Sequence, residues 1–353
     1  MKRLWLVLAL TAVATGYSTP NRIFSSYYVE NLNAPTMRVL GEQFDIARRK
    51  GPGFEVFVPQ DSAPLLLRLV PNAKLVEKDV SDVLRRRDKE HPGWRGSYRD
   101  FDSVQTELKT IVTSHPDMGA LENYGSSEDG RPLVALRLTG KAAFADKPEL
   151  MITSSTHGDE ITTVEVLMDF VEGLIKNYGT DARITAMLDK HVIYFIPVVC
   201  PDGYVNQTRE CNGLDPNRDY PYPADPDHVS NASIRNETTW FATHHIVGSV
   251  DIHSNLATVM YPWAYTDSPP DASDVTRFKQ IGTVMAQDTG YNFGQIAEVF
   301  GIAKGSSADY WYWKGKTLAF GYEIGDDFIV ESERVHSLVH GNQEALWHFI
   351  EFF

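Results

Sequence analysis

Leu150-Met151-Ile152-Thr153-Ser154, followed by Thr156-His157-Gly158-Asp159-Glu160, is the stretch from which the organisation of the chain can be read. The first run is short and apolar, as in a buried strand. After it, Val164, Leu167, Met168, Val171, Leu174 and Ile175 recur at helical spacing over residues 161–178. His157 therefore belongs to a strand-to-helix turn and Glu160 to the first turn of the helix. An imidazole and a carboxylate three residues apart, at the carboxyl edge of a strand, can face one point outside the sheet, as a divalent metal requires. The plainer reading is an ordinary turn with a helix-start glutamate, and the rest of the chain has to decide.

Outward from this stretch the pattern stays α/β. Upstream, Val104–Ser114 reads as a helix started by Asp102 and Gln105, and strand-like runs follow at 121–124 and 133–138 across the turn Ser127-Glu128-Asp129-Gly130. Downstream, strands are expected at 191–199, 249–252 and 317–324, with helices at 239–246, 272–288 and 332–353. Alternation of this kind predicts an α/β fold with a mixed, largely parallel central sheet flanked by helices. A small α+β unit precedes it, with strands at 54–59 and 73–76 around a helix at 62–70, while residues 21–36 show no clear period and read as a leader. The expected division is a signal peptide over 1–18, the small unit and its linker over 19–95, and the main domain over 96–353. The linker is marked by Arg85-Arg86-Arg87-Asp88-Lys89-Glu90-His91-Pro92-Gly93, which reads as a solvated helix end or as a processing site.

Bulk properties narrow the class. The 353 residues carry 33 basic and 47 acidic side chains, a formal charge of -14, which argues against a nucleic-acid partner. Lys2 and Arg3 followed by Leu4–Val13, apolar apart from Thr11, resemble a secretory signal too short to span a bilayer, the other reading being an uncleaved membrane anchor, and no later segment is a span candidate. A secreted or periplasmic location follows. Cys200 and Cys211 are the only cysteines; they are read either as a pair across a short loop or as free buried thiols. Asn206, Asn231 and Asn236 lie in glycosylation sequons, which matter only in a glycosylating host.

Three strand ends carry the chemistry. His157 and Glu160 follow one, His253 closes a second in Asp251-Ile252-His253-Ser254, and Glu323 stands near the end of a third in Phe320-Gly321-Tyr322-Glu323. Two histidines and a glutamate form a common catalytic zinc set with one position left for water. The sequence then continues the pattern with Pro201-Asp202-Gly203-Tyr204 and Gly213-Leu214-Asp215-Pro216-Asn217-Arg218-Asp219. In order and context over about residues 98–353, these motifs resemble the zinc metallocarboxypeptidases of carboxypeptidase A type, and the unit before them resembles a short form of that family's prosegment.

The resemblance implies roles. His157, Glu160 and His253 hold one zinc ion, and Glu323 is the general base for the attacking water. Asp215 orients the first histidine through a hydrogen bond. Asn217 and Arg218 grip the free C-terminal carboxylate of a peptide or peptide-like substrate, for which a planar guanidinium is well shaped. Arg209 is the candidate for polarising the scissile carbonyl, although its offset from Gly213 also fits a surface residue. His244 and His245 fit no ligand context and read as structural. The family's tyrosine that caps the substrate's terminal residue has no counterpart: Gly301 stands there, beside Phe300. Ala308 falls at the floor of the side-chain pocket, which argues against a strict preference for Lys or Arg, and Lys304 nearby favours an acidic end or is a solvated loop residue. The expectation is a zinc carboxypeptidase for neutral or acidic terminal residues. The rival readings are an amidase of cell-wall peptides using the same site, and an inactive binding module that retains the fold.

Overall fold

The computed structural model describes residues 23–30, 32–50, 52–80, 86, 98–142, 146–325, 330 and 332–353. The expected signal peptide and nearly all of the linker at 85–93 lie outside the described residues.

The main sheet is built from eight strands: β5 (Gly119–Ser126), β6 (Pro132–Thr139), β7 (Glu149–Ser154), β8 (Val192–Ile196), β9 (Ile246–Ser254), β10 (Thr258–Tyr261), β11 (Asn292–Gln295) and β12 (Leu318–Ile324), in the spatial order β11-β10-β12-β9-β7-β8-β6-β5. The run β12-β9-β7-β8 is parallel, and antiparallel pairing enters at β10 on one side and at β6 and β5 on the other. The sheet is thus mixed with a parallel centre. Strands β7 and β8 are buried on both faces, which is why their sequences run apolar without alternation. Strand β8 stops at Ile196, short of the expected end, because Pro197 has no N–H to continue the ladder.

Helices follow the strands in order: α3 (Phe101–Ser114), α4 (Thr162–Asn177), α5 (Ala182–Lys190), α6 (Pro201–Asn206), α7 (Ala232–Phe241), α8 (Ala272–Thr289), α9 (Ile296–Val299), α10 (Ser307–Gly315) and α11 (Ser332–Glu351). The terminal helix α11 packs on α8 and α4. Two boundaries differ from the sequence reading. Helix α3 is capped by Asp100, whose side chain accepts from the Ser103 amide, rather than started by Asp102. No helix covers 239–246: α7 ends at Phe241, and Ile246 already opens β9.

Residues 23–80 form a second, antiparallel sheet in the order β2-β3-β1-β4, from β1 (Phe24–Glu30), β2 (Asp45–Lys50), β3 (Gly53–Pro59) and β4 (Lys74–Glu77), with helices α1 (Ala34–Gln43) and α2 (Ala63–Leu69). Its core joins Val29, Leu40, Val56, Val58 and Leu66. The strand β1 and helix α1 replace the expected leader. In β1 most residues of both faces are buried, including Ser25 and Ser26, so no polar-apolar alternation marks it. Helix α1 lies against the segment at 300–301: a Cβ on Gly41 would stand 2.9 Å from the Phe300 carbonyl oxygen. Among the described residues no helix is long and apolar enough to cross a membrane.

Candidate active site at the strand ends

Strand register brings the expected residues together. Thr153 of β7 pairs with Asp251 of β9, and His253 of β9 pairs with Glu323 of β12. The turn after β7 carries His157, and Gly158 permits it: a Cβ there would stand 2.0 Å from the Gly203 carbonyl carbon of α6. His157 Nδ1 lies 2.8 Å from Glu160 Oε1 and 3.2 Å from His253 Nδ1, and His253 Nδ1 lies 3.0 Å from Glu160 Oε2. All three side chains are buried. They are the group of three among the described residues able to hold a metal ion, with donor atoms within 4.8 Å of one another. Two imidazole nitrogens and one carboxylate suit zinc and leave room for a further ligand.

The charges around this point fit a cation. Burial disfavours an ionised Glu160, yet the His157 and His253 charges and hydrogen bonds hold its carboxyl well below the usual range. Burial likewise opposes a protonated His253, but Asp251 and Glu160 raise its pKa well above the ordinary value. A divalent ion supplies the positive charge that these protons otherwise provide, so its binding releases them.

The far nitrogens of both imidazoles are engaged. His157 Nε2 lies 3.2 Å from Asp215 Oδ1, the contact expected from the sequence. His253 Nε2 lies 2.9 Å from Asp251 Oδ2, a partner the sequence reading did not assign. Asp251 is fully buried, and the Thr153 and Thr156 hydroxyls donate to its other oxygen at 2.8 and 2.9 Å. Its signal is present in the sequence: residues i and i+2 of a strand share a face, so an Asp two before His253 points the same way. Removing such a carboxylate usually costs about 10- to 100-fold in metal affinity. Asp251→Asn is therefore expected to weaken zinc binding by about that factor, measured by competition with a chromophoric chelator; unchanged affinity would show that Asp251 does not orient the ligand.

Arg209 lies inside the site rather than on the surface. Its Nε and Nη2 donate to Asp215 Oδ2 at 3.3 and 3.2 Å, and its Nη1 stands 3.6 Å from Glu160 Oε1. Cys200 and Cys211 form a disulfide with 5.9 Å between their Cα atoms, closing the loop that carries Arg209. The turn Pro216–Arg218 is capped by Asp215, whose Oδ1 also accepts from the Asn217 amide at 2.9 Å.

One cavity is lined by His157, Glu160, His253 and Glu323, by Arg209, Asn217 and Arg218, and by an apolar wall that includes Met260, Ile296, Phe300, Ala303 and Ala308. Burial pushes the Glu323 carboxyl up to about 7, with the His253 charge opposing and that of Glu160 adding. Ile46 of β2 and Phe57 of β3 line the same cavity, from a unit more than 250 residues away in sequence from Glu323. Lys304 is exposed and outside the cavity wall, and Gly301 lies beneath α1. Asp309 fixes the pocket segment by accepting the Ala264 and Tyr265 amides, each at 2.8 Å. His244 is remote from this group. It packs against Trp240, tilted by 36° with 4.1 Å between ring centres, and pairs with Glu122 at 3.2 Å, while the His245 amide bonds to Glu149.

The chain is 26% identical over 268 residues to carboxypeptidase A2 of Mus musculus, covering 65% of this chain and 63% of that protein, so under two thirds of that relative's length is spanned. It is 21% identical over 417 aligned positions to the inactive metallocarboxypeptidase ECM14 of Saccharomyces cerevisiae, covering 99% of this chain and 96% of the relative. The crystal structure of carboxypeptidase A from Helicoverpa armigera superposes with a TM-score of 0.79 at 18% identity, over 94% of this chain and 97% of that one, a likeness of fold. The zinc carboxypeptidase profile matches residues 104–344, well over half of the chain, from within the helix before β5 to within that after β12. The chain belongs to the zinc carboxypeptidase family.

Proposed function

We propose that the protein is a secreted, one-zinc carboxypeptidase that hydrolyses the C-terminal residue of peptides. The observation that carries this is the meeting, in one cavity, of His157, Glu160 and His253 with Glu323 and with the Asn217–Arg218 pair. Bound at the three donors, zinc polarises a carbonyl oxygen and makes water more acidic. Glu323 takes a proton from the attacking water and passes it to the leaving amine nitrogen. Arg209, held by Asp215, stabilises the negative charge that develops on the carbonyl oxygen. Asn217 and Arg218 bind the terminal carboxylate, which restricts cleavage to the last peptide bond. The Cys200–Cys211 disulfide suits an oxidising compartment, and the signal-like start of the chain points the same way. Against the reading of an inactive module, suggested by the yeast relative, stand the intact donors, base and carboxylate-binding pair.

The pocket wall favours neutral, apolar terminal residues. Ala308 supplies no charge at its floor, and Lys304, exposed outside the wall, offers an acidic end nothing. A panel of peptides differing only in the last residue is expected to give the highest kcat/KM for aliphatic and aromatic ends, with C-terminally amidated versions uncleaved. A strong preference for Lys or Arg, or equal cleavage of the amides, would contradict the reading. Muropeptides in the same panel test the cell-wall amidase.

A further inference from the structure

Behind the metal centre, Ser307, Asp251, His253 and Asn217 form a closed circuit in which the mechanism above gives Ser307 no part. Ser307, the first residue of α10, is buried. Its hydroxyl donates to Asp251 Oδ2 at 2.6 Å, the same oxygen that pairs with His253 Nε2. Its backbone N–H donates to Asn217 Oδ1 at 2.9 Å. Asn217 Nδ2 in turn lies 3.2 Å from His253 Nε2. One residue therefore touches both the partner of a metal ligand and a residue of the carboxylate-binding pair.

The second bond decides which way the Asn217 amide faces. With Nδ1 of His253 among the donor atoms at the metal centre, its Nε2 carries the proton and gives it to Asp251. The Asn217 amino group thus faces an N–H and finds no acceptor there. Flipped, Asn217 would offer its carbonyl to that N–H and turn an acceptor toward the substrate, which a carboxylate would reject. The Ser307 N–H prevents the flip by holding Oδ1. The backbone between 305 and 307 is itself locked against the carboxylate-binding turn: the Tyr220 amide donates to the Gly305 carbonyl at 3.1 Å, and a Cβ at Gly305 would stand 2.3 Å from the Arg218 carbonyl oxygen.

We propose that Ser307 is a positioning residue with two separable arms: its hydroxyl steadies the Asp251–His253 pair and so retains the metal, and its backbone N–H sets the Asn217 amide to read a carboxylate rather than an amide. The proposal rests on the assignment of His253 to zinc and of Asn217 to the substrate carboxylate.

The arms can be separated because Ser307 is the first residue of a helix. Proline is well tolerated there, and Ser306 before it is extended (φ -82°, ψ 150°), the conformation that a residue preceding proline prefers. Ser307→Ala removes only the hydroxyl, Ser307→Thr keeps it, and Ser307→Pro removes hydroxyl and N–H together. Zinc affinity is measured on each folded protein by chelator competition, without substrate. Ser307→Ala is expected to bind zinc about tenfold more weakly, the low end for residues supporting a ligand, with Ser307→Thr restoring it. At saturating zinc, Ser307→Pro is expected to raise KM for a free-acid peptide about tenfold over Ser307→Ala, with kcat changed less, and to narrow the discrimination between acid and amide peptides. Wild-type zinc affinity in Ser307→Ala would overturn the hydroxyl arm, and equal KM and selectivity in the Pro and Ala variants would overturn the amide arm. A wild-type protein that binds no zinc would instead sink the metal assignment itself.

Discussion

Glu323→Gln is expected to lower kcat for peptide hydrolysis by about 10²- to 10⁴-fold while zinc content stays at the wild-type level. The substitution keeps size and hydrogen-bonding shape and removes only the ability to hold a proton as a carboxylate. Glu323 is not among the three metal donors, although strand pairing sets it directly beside His253. A loss of activity with the metal retained would therefore isolate proton transfer from metal binding. The pH profile adds a second reading. Burial raises the carboxyl to about 7 and a bound cation pulls it back down, so the acid limb of kcat/KM should fall at or below about pH 7. The base works in its charged form, so activity rises with pH through this limb, and the limb should vanish from the residual activity of the Gln variant. An unchanged kcat in Glu323→Gln would remove the base from the mechanism.

The second large effect concerns residues 23–80. Ile46 and Phe57, both nearly fully buried, form part of the wall of the cavity that holds the metal donors and Glu323. A substrate of any size has to compete with them. Burying side chains of this kind is worth about 1.5–3 kcal/mol each, so a cover held by the pair is displaced in between roughly one molecule in 10² and one in 10⁴. We infer that the N-terminal unit keeps the enzyme latent. Cleavage within the basic run from Arg85 to Lys89 should then raise kcat/KM by at least about 100-fold as the unit departs. The double variant Ile46→Ala, Phe57→Ala should recover part of that gain without cleavage. Equal activity before and after complete cleavage and removal of the unit would make it a permanent part of the fold instead.

What was legible in the sequence follows from range. His157 and Glu160 could be read because they are close in sequence on a strand-to-helix turn, and His253 and Glu323 because each stands one residue before the end of a buried strand. Asp215 and the Asn217–Arg218 pair were carried by a motif. The role of Asp251 depends on strand geometry and on the Thr153–Asp251 register, which no local pattern prints. Ser307 gains its meaning only when α10 meets two other segments through Asn217 and Asp251. Strand β1 was hidden because burial on both its faces, with Ser25 and Ser26 inside, erases the alternation that marks a half-exposed strand. The disulfide left open by the sequence is settled by the approach of the Cys200 and Cys211 backbones. Ile46 and Phe57 could not have been placed in the cavity wall from their own surroundings, which read only as a small sheet.

Hydrolysis is expected to depend on one zinc ion held jointly by His157, Glu160 and His253. The most direct measurement is zinc per chain, by elemental analysis of purified wild type and of His253→Ala, alongside hydrolysis of an apolar-ended peptide before chelation, after it, and after zinc is returned. One zinc per wild-type chain is expected, with hydrolysis lost on chelation and restored by zinc, and with neither tight zinc nor hydrolysis in His253→Ala. Full hydrolysis by the metal-stripped protein, or tight stoichiometric zinc in His253→Ala, would contradict that expectation.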